Sequence, residues 1–250
     1  MRSEKLFFKN SRGNKLCGLL TNPSGDNSRP VVVMCHGFNS GKDSSTNVGL
    51  TEYLERLDIS SFRIDFFAHG ESEGKFEDLT QTEAVDDILR AIDFLKSLGY
   101  RKIGLFGSSF GGLAALMAAS KIGKEIFVLT LKAPISSYYD FPEYTDQSFI
   151  DEWREKGYSF REGKKLNYSF YEDIKNNVAY EVAGKIAVPT LIVHGAADTE
   201  VPITQSYKTV KLIRNCRLVD IPGAGHSFKE GDSKKILLKA VTDFIVEHSK

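Results

Sequence analysis

Apolar and polar positions along this chain fall into blocks that alternate between two kinds of spacing. Short apolar, β-branched runs bounded by turn residues recur at 31–35, 60–66, 102–106, 126–131, 190–193 and 217–221. Runs that are apolar throughout are typical of strands buried on both faces. Several blocks between them have helical spacing, most clearly at 82–98. There, apolar residues recur every three or four positions, at Ala84, Val85, Ile88, Leu89, Ile92 and Leu95.

This order of elements predicts an α/β fold. Strands that alternate with helices are joined by right-handed crossovers, which give a mostly parallel sheet with helices on both faces. The N-terminal segment differs, because Gly13-Asn14 separates two short runs at 5–9 and 15–20. We expect an antiparallel hairpin there, at the edge of the sheet.

The segment 134–184 breaks the alternation of strands and helices. Roughly fifty residues separate two predicted strands there, which is too long for an ordinary connection. The segment is also rich in tyrosine and phenylalanine. Such rings could form a core of the insertion itself or line a pocket, and the pattern leaves both open. We therefore predict a single α/β domain over 1–250, with an inserted cap over about 134–184.

Composition and charge narrow the class of partner. A chain of 250 residues can bury a large core without disulfides or metal. It carries 33 Lys plus Arg and 33 Asp plus Glu, so no net field attracts nucleic acid or an anionic membrane. The longest weakly polar run, 103–119, is shorter than the ~20 residues that span a bilayer. We expect a small-molecule substrate and neither nucleic acid nor membrane as a partner; the oligomeric state is left open.

The cysteines and the N-terminus bear on the cellular compartment. Cys17, Cys35 and Cys216 are scattered and show no C-x-x-C spacing, which predicts neither a disulfide framework nor a zinc site. The N-terminus lacks the apolar core that a signal peptide requires. These two features predict a protein of the reducing cytoplasm.

The sequence Gly-Ser-Ser-Phe-Gly at 107–111 is the first candidate for chemistry. It follows the apolar run at 102–106 and precedes an apolar helical block at 113–119. In a strand-turn-helix context, G-x-S-x-G is typical of a nucleophile elbow, which holds a serine hydroxyl clear of the sheet. The helix N-terminus behind it would favour a developing oxyanion. The alternative is a Gly-Ser turn before a packed helix. Ser109 is the predicted nucleophile.

A serine hydroxyl needs a base to become nucleophilic, and histidine held by a carboxylate is the usual one. Among the 5 histidines, His226 lies in a glycine-rich loop before the terminal helix, where its ring could reach Ser109. His36 and His194 precede glycines at strand ends and are expected to fix loop backbone. His69 lies in an early turn and His248 in the C-terminal tail. His226 is the predicted base.

The acid that orients the histidine should follow a strand between the serine and the histidine. Asp198 lies in the loop after the run at 190–193, directly after a tight turn. Glu200 is the local alternative, but it begins the stretch that leads into the next helix. The order Ser109, Asp198, His226 is the order in which G-x-S-x-G hydrolases carry their triad.

Acyl transfer also needs donors for the oxyanion. One donor is expected from the backbone N–H of the residue after the nucleophile, Phe110. The other should follow the first buried strand, where Gly37 lets the chain turn so that the Phe38 N–H can face Ser109. An ordinary strand-to-loop turn is the alternative at Phe38. This chemistry requires no metal and no organic cofactor.

Together these motifs resemble the α/β-hydrolase family over essentially the whole chain. The resemblance rests on His-Gly-Phe at 36–38, Asp65 followed by His-Gly-Glu-Ser-Glu-Gly at 69–74, the elbow, Asp198 and His226. Within the family, the sequence looks most like cinnamoyl or feruloyl esterases and related serine-aminopeptidase-like hydrolases. The resemblance implies an α/β-hydrolase fold and hydrolysis of carboxylic esters with small acyl or hydroxycinnamoyl groups.

Other functions use the same residues. The elbow departs from the common Gly-His-Ser-Gln-Gly form, which changes the pocket wall. A serine peptidase or amidase, or a monoacylglycerol lipase, would carry the same triad. An acidic residue that binds a free amino group would favour an aminopeptidase, and the insertion contains Glu143, Asp146, Asp151 and Glu152. A binding protein without catalysis would be expected to lack a member of the triad. We therefore predict a serine carboxylesterase.

Overall fold

A computed structural model describes residues 3–249 of the chain. Within this range the strands are β1 (Ser3–Lys9), β2 (Lys15–Thr21), β3 (Val31–Cys35), β4 (Ser60–Ile64), β5 (Ile103–Ser108), β6 (Val128–Lys132), β7 (Tyr158–Arg161), β8 (Lys164–Asn167), β9 (Thr190–Gly195) and β10 (Cys216–Ile221). The helices are α1 (Ser45–Glu55), α2 (Gln81–Ser97), α3 (Phe110–Ile122), α4 (Gln147–Lys156), α5 (Tyr168–Ile174), α6 (Ala179–Val182), α7 (Thr204–Leu212) and α8 (Ser233–His248). In the described part of the chain, no helix is both long and apolar enough to cross a bilayer.

The main sheet has the strand order β1-β2-β4-β3-β5-β6-β9-β10. The pairs β1–β2 and β2–β4 are antiparallel, and the remaining pairs are parallel. The predicted mostly parallel sheet with an antiparallel hairpin at one edge is therefore confirmed. The second buried run is shorter than predicted, and β4 ends at Ile64. The reason is that the Phe66 N–H donates to His36 Nε2 at 3.2 Å and not to a neighbouring strand.

Helices cover both faces of the sheet, as the apolar runs predicted, except at β10, an edge strand in which only Ile221 is buried. Alternate residues of β3 point to opposite faces. Val31, Val33 and Cys35 belong to the core that includes α2 and α3. Val32 and Met34 belong to the core that includes α1 and α8. Because both faces are buried, neither set of alternate positions can be polar, and the strand reads as a continuous apolar run.

The segment between β6 and β9 contains α4, the β7–β8 hairpin, α5 and α6. Its central side chain is Trp153, which is buried and whose indole N–H donates to the Leu166 carbonyl at 3.2 Å. The ring of Phe170 stacks near Trp153 at a centroid distance of 6.5 Å. These residues form one continuous core with α2 and α3. The insertion is thus packed onto the sheet domain through its own aromatic residues.

Helix α2 buries a carboxyl group against the sheet. Asp87 is fully buried, accepts a hydrogen bond from the Phe67 N–H at 2.7 Å, and lies 3.3 Å from Asn10 Nδ2. Burial penalises the charged carboxylate and raises the pKa of Asp87 to about 8, and the nearby Glu83 adds to this effect. The folded protein therefore holds a proton here that an exposed aspartate would release.

We expect the free energy of unfolding to decrease as pH rises, because of the proton bound to Asp87. An aspartate in the unfolded chain titrates near a pKa of about 4. The stabilisation from the bound proton is present below that pH and is lost as pH rises toward 8, by up to about 1.4 kcal/mol per pH unit. Denaturant unfolding at pH 5 and pH 8 should show this loss for the wild type and not for Asp87→Asn. The exposed Asp93 on the same helix gives the control, Asp93→Asn, which should behave as the wild type. An equal pH dependence in Asp87→Asn would contradict this account.

Candidate active site

Ser109 makes the turn between β5 and α3 by itself. Its backbone has φ 54° and ψ −115°, a conformation that residues with a Cβ rarely adopt. The Ser109 N–H donates to the Lys132 carbonyl at 3.0 Å, and the Ser109 carbonyl accepts from the Gly112 N–H at 2.9 Å. Hydrogen bonds on both sides therefore hold the strained residue at the carboxyl edge of the sheet, with its side chain partly exposed.

The glycines of the elbow have a steric role. A Cβ on Gly111 would lie 2.3 Å from the His36 carbonyl oxygen. A Cβ on Gly107 would lie 2.5 Å from the Gly111 carbonyl oxygen. Helix α3 can approach the ends of β3 and β5 only because these positions carry no side chain. The approach brings the turn at Gly37 beside Ser109.

His226 and Asp198 are joined by a hydrogen bond. The imidazole Nδ1 lies 2.7 Å from Asp198 Oδ2, and the Asp198 side chain is completely buried. The other carboxylate oxygen accepts from the backbone N–H groups of Glu200 at 2.9 Å and Val201 at 2.8 Å. Burial alone would raise the pKa of Asp198, but the contacts with His194 and His226 outweigh it and hold the pKa well below its usual range. Asp198 is thus a charged carboxylate at neutral pH.

Backbone contacts hold the two loops that carry this pair together. A Cβ on Gly195 would lie 2.3 Å from the Ala224 carbonyl oxygen, so β9 can meet the loop after β10 only with glycine there. The Ala197 N–H donates to the same Ala224 carbonyl at 2.9 Å. The Gly225 N–H donates to Glu230 Oε2 at 3.0 Å. The position of the imidazole is therefore fixed from several sides.

The structure brings Asp198, and not Glu200, into hydrogen-bond contact with the imidazole. The Glu200 side chain lies beside two cavities that also contain Ser109 and His226. Within residues 3–249, Ser109 Oγ makes no hydrogen bond with His226. Catalytic hydrogen bonds are often long in the absence of substrate and tighten when it binds. All three residues predicted from the sequence nevertheless lie at one site.

The two predicted backbone donors also lie at this site. Phe110 is the first residue of α3, and the first N–H groups of a helix have no partner inside it. The Phe38 N–H has no backbone acceptor in the described part of the chain. The Phe38 carbonyl accepts from His69 Nε2 at 2.5 Å, and the His69 ring packs 4.8 Å from the His36 ring. His69 and His36 therefore position the turn that carries Phe38.

Two cavities meet at Ser109 and His226. The first, here called the aromatic cavity, has a volume of about 130 Å³ and is lined mainly by residues of the segment between β6 and β9. Its distinguishing residues are Tyr138, Phe141, Tyr144, Phe170 and Arg161. Arg161 forms an ion pair with Glu143 at 2.6 Å, and its guanidinium lies 4.9 Å from the centre of the Tyr144 ring.

The second, here called the basic cavity, is larger, at about 580 Å³. Its distinguishing residues are Lys132, Lys229, Lys234 and the hydroxyl residues at 44–46. Ser109, His226, Phe38, Glu162 and Glu200 line both cavities. A ligand bound at Ser109 can therefore extend into an aromatic space and into a polar, cationic one.

Two groups of acidic or thiol side chains have a spacing that would suit a metal ion. In the group that contains Asp65 and Glu71, Lys42 Nζ lies 2.8 Å and 2.9 Å from the two carboxylates. In the group that contains Glu83, the guanidinium of Arg12 lies 2.8 Å from that carboxylate. A cationic side chain thus pairs with carboxylates of each group, and none of these residues lines the cavities at Ser109.

Three residues of the site were missed or assigned a lesser role by the sequence analysis. His194 Nε2 lies 3.2 Å from Asp198 Oδ2, so it contacts the buried acid as well as loop backbone. His69 is buried and holds the Phe38 carbonyl. Lys132 lines the basic cavity. Its position at the carboxyl end of an apolar run was the one signal in the sequence that could have indicated a role at the site.

Comparisons with known proteins identify the family. The sequence model of the prolyl oligopeptidase family matches residues 69–250 of the chain. The chain belongs to the prolyl oligopeptidase family. Human monoacylglycerol lipase ABHD6 is 25% identical over 74% of this chain and 53% of its own length. The uncharacterized protein YfhR of Escherichia coli K12 is 23% identical over 98% of this chain and 81% of its own length.

Solved structures of similar proteins agree with the fold. The ferulic acid complex of Est1E from Butyrivibrio proteoclasticus is 26% identical, covers 97% of this chain and 98% of Est1E, and has a TM-score of 0.84. A putative hydrolase from Agrobacterium vitis covers 98% of this chain and 100% of its own, with 21% identity and a TM-score of 0.85. This family member therefore has the α/β-hydrolase fold, and it is a hydrolase. The resemblance found in the sequence is confirmed at that level.

Proposed function

We propose that this protein is a serine carboxylesterase that uses Ser109 as nucleophile, His226 as base and Asp198 as the acid that orients His226. The observation that carries the proposal is the arrangement at the elbow. Ser109 stands at φ 54° and shares its cavities with His226. The Nδ1 of that histidine is bonded to a buried carboxylate at 2.7 Å.

The proposed reaction has two steps. In the first, Nε2 of His226 takes the Ser109 proton while Oγ attacks the acyl carbon, and the same proton then passes to the departing alcohol. In the second, His226 takes a proton from water, the hydroxide attacks the acyl-enzyme, and Ser109 leaves with that proton. Asp198 holds the neutral imidazole with its proton on Nδ1 and stabilises the cation that forms in each step, without itself taking the proton.

The oxyanion is assigned to two backbone amides. The Phe110 N–H is directed by the start of α3, whose dipole favours negative charge at that end. The Phe38 N–H belongs to the turn that His36 and His69 position. Neither donor depends on the side chain beside the nucleophile, so the unusual residues of this elbow leave oxyanion binding intact.

The aromatic cavity supports a small acyl group as the substrate. Its volume of about 130 Å³ and its ring-lined walls suit an aromatic ring or a short chain better than a long lipid chain. Est1E, whose structure holds ferulic acid, supports a hydroxycinnamoyl group in particular. Tyr138, Phe141, Tyr144 and Phe170 all come from the insertion, so we take 134–184 as a cap on a single domain.

A peptidase is the second candidate, because the family takes its name from a peptidase. An aminopeptidase requires a carboxylate available to a substrate's amino group, and the four acidic residues that the sequence analysis named each have another role. Glu143 pairs with Arg161. Asp146 caps α4, and Asp151 pairs with Arg154. Glu152 pairs with Lys156 in the same way. Glu162, which lines both cavities and has no ion pair within residues 3–249, is the carboxylate that an aminopeptidase would use. The likeness to Est1E with bound ferulic acid favours the esterase.

We expect Ser109→Ala to lower ester turnover by roughly 10⁶-fold, because the nucleophile is removed while the elbow backbone can remain. Hydrolysis of p-nitrophenyl acetate and methyl ferulate, together with thermal unfolding, measures this. Ser120→Ala is the matched control, since Ser120 lies on α3 with its hydroxyl bonded to the Met117 carbonyl at 2.7 Å. Wild-type turnover in a folded Ser109→Ala protein would remove Ser109 from the mechanism.

Asp198→Asn should reduce turnover by roughly 10⁴-fold, because an amide can no longer hold the imidazole in the useful tautomer or stabilise its cation. Glu200→Gln should have a much smaller effect, since its carboxylate makes no hydrogen bond with His226 in the described structure. The two variants are compared by kcat on methyl ferulate. A larger loss in Glu200→Gln than in Asp198→Asn would reassign the acid.

The aromatic cavity should select short or hydroxycinnamoyl groups over long acyl chains. Each misfitted methylene costs roughly 1–3 kcal/mol in a shaped apolar pocket, so kcat/KM should fall toward chains of about twelve carbons. A series of p-nitrophenyl esters, methyl ferulate and aminoacyl amides measures this selection. A steady rise with chain length would indicate a lipase, and a preference for the amides over every ester would indicate a peptidase.

A further inference from the structure

Lys132 is a buried cation next to the nucleophile. It is the last residue of β6, and its carbonyl accepts the Ser109 N–H. The residue is only 6% exposed, yet it lines the basic cavity. Its Nζ lies 3.5 Å from Ser108 Oγ and 5.3 Å from the centre of the Phe228 ring. Among residues 3–249, no carboxylate lies within ion-pair distance of this ammonium.

A buried ammonium without a carboxylate partner is energetically unfavourable, because the lost hydration is not replaced. One neutral hydroxyl at 3.5 Å and the face of one ring offset only part of that loss. Burial lowers the pKa of Lys132 to about 8, although the more distant charges of Asp198 and Glu200 oppose the shift. At neutral pH the group is therefore mostly charged. The side chain is available to bind an anion that enters the cavity.

The rest of the basic cavity also suits an anion. Lys229 and Lys234 add two cations to its wall, against the two carboxylates of Glu162 and Glu200. Helix α1 starts at the cavity, where the hydroxyl residues at 44–46 line it. The N-terminal end of a helix carries partial positive charge and unpaired N–H groups. A polar space of about 580 Å³ can hold a substituted alcohol as well as solvent.

We propose that the basic cavity binds an anionic group, a carboxylate or a phosphate, carried by the alcohol part of the ester, and that Lys132 determines this specificity. The proposal rests on the proposed function, which places the acyl group in the aromatic cavity. The two cavities meet at Ser109 and His226, so an ester whose acyl carbon is at Ser109 directs its alcohol into the basic cavity. The preferred substrate is then a small acyl or hydroxycinnamoyl ester of a hydroxy acid or a phosphorylated alcohol.

Three ferulate esters that differ at the alcohol end test this specificity. The glycolamide ester is neutral, the glycolate ester differs from it by one carboxylate, and the 2-hydroxyethyl phosphate ester carries a phosphate. We expect the wild type to show at least a tenfold higher kcat/KM on an anionic ester than on the neutral one, mainly through KM. Whichever anionic ester has the larger kcat/KM relative to the glycolamide ester shows whether carboxylate or phosphate is the preferred anion.

Variants of Lys132 test its role in that ratio. In Lys132→Met, kcat/KM on the anionic ester divided by kcat/KM on the neutral ester should fall to about one. Lys132→Arg should keep most of the wild-type ratio. Lys124→Met is the control, because Lys124 lies just beyond the far end of α3 from Ser109 and should leave the wild-type ratio unchanged. Thermal unfolding checks that each variant is folded. A wild-type ratio of one or less, or an unchanged ratio in folded Lys132→Met, overturns the proposal.

A binding measurement separates this proposal from the proposed function. Calorimetric titration of Ser109→Ala with the glycolate and glycolamide esters reports affinity without turnover. Tighter binding of the glycolate ester that is lost in Ser109→Ala/Lys132→Met supports the anion site even if the wild type hydrolyses none of the esters. Equal affinity for the two esters overturns the anion site even if the wild type hydrolyses both.

Discussion

The close approach of α3 to the carboxyl ends of β3 and β5 is the constraint on which the rest of this site depends. Gly107 and Gly111 allow that approach, because a methyl group at either would collide with backbone. Ser109 then has to turn the chain in a single residue, which forces its positive φ. The same approach brings the turn at Gly37 against the elbow. A local steric condition thus places a hydroxyl and two backbone amides together at one edge of the sheet.

The electrostatics of the site follow from two buried charges that are treated differently. Asp198 has contacts to both of its oxygens, from two imidazoles and two backbone N–H groups. That carboxylate is therefore stable as an anion and can hold His226. Lys132 is comparably buried but has only a hydroxyl and a ring nearby. The protein itself satisfies the first charge, and the anion that we propose would satisfy the second.

The sequence left open whether the aromatic rings of the insertion form a core or line a pocket. Trp153 is held in the core by its bond to the Leu166 carbonyl, so it serves packing. Tyr138, Tyr144 and Phe170 belong to that same core and also line the aromatic cavity. The rings are therefore both the structure of the insertion and the wall of a pocket.

Apart from the segment between β6 and β9, whose hairpin and helices it did not predict, the sequence by itself determined the alternation of strands and helices, the edge hairpin and the strand-turn-helix at Ser109. These features depend on local spacing, turn residues and the steric needs of glycine, all of which are readable over a few neighbouring positions. It also indicated which loops would meet, because parallel strands deliver their carboxyl ends to one edge. The sequence also favoured Asp198 over Glu200 as the acid. Only the tertiary structure decided that His194 also contacts Asp198, that His69 holds the Phe38 carbonyl, and that Lys132 is buried without a carboxylate within ion-pair distance among residues 3–249. Those relations join side chains from different strands and loops, so they depend on the distances and burial that folding creates and that no local pattern encodes.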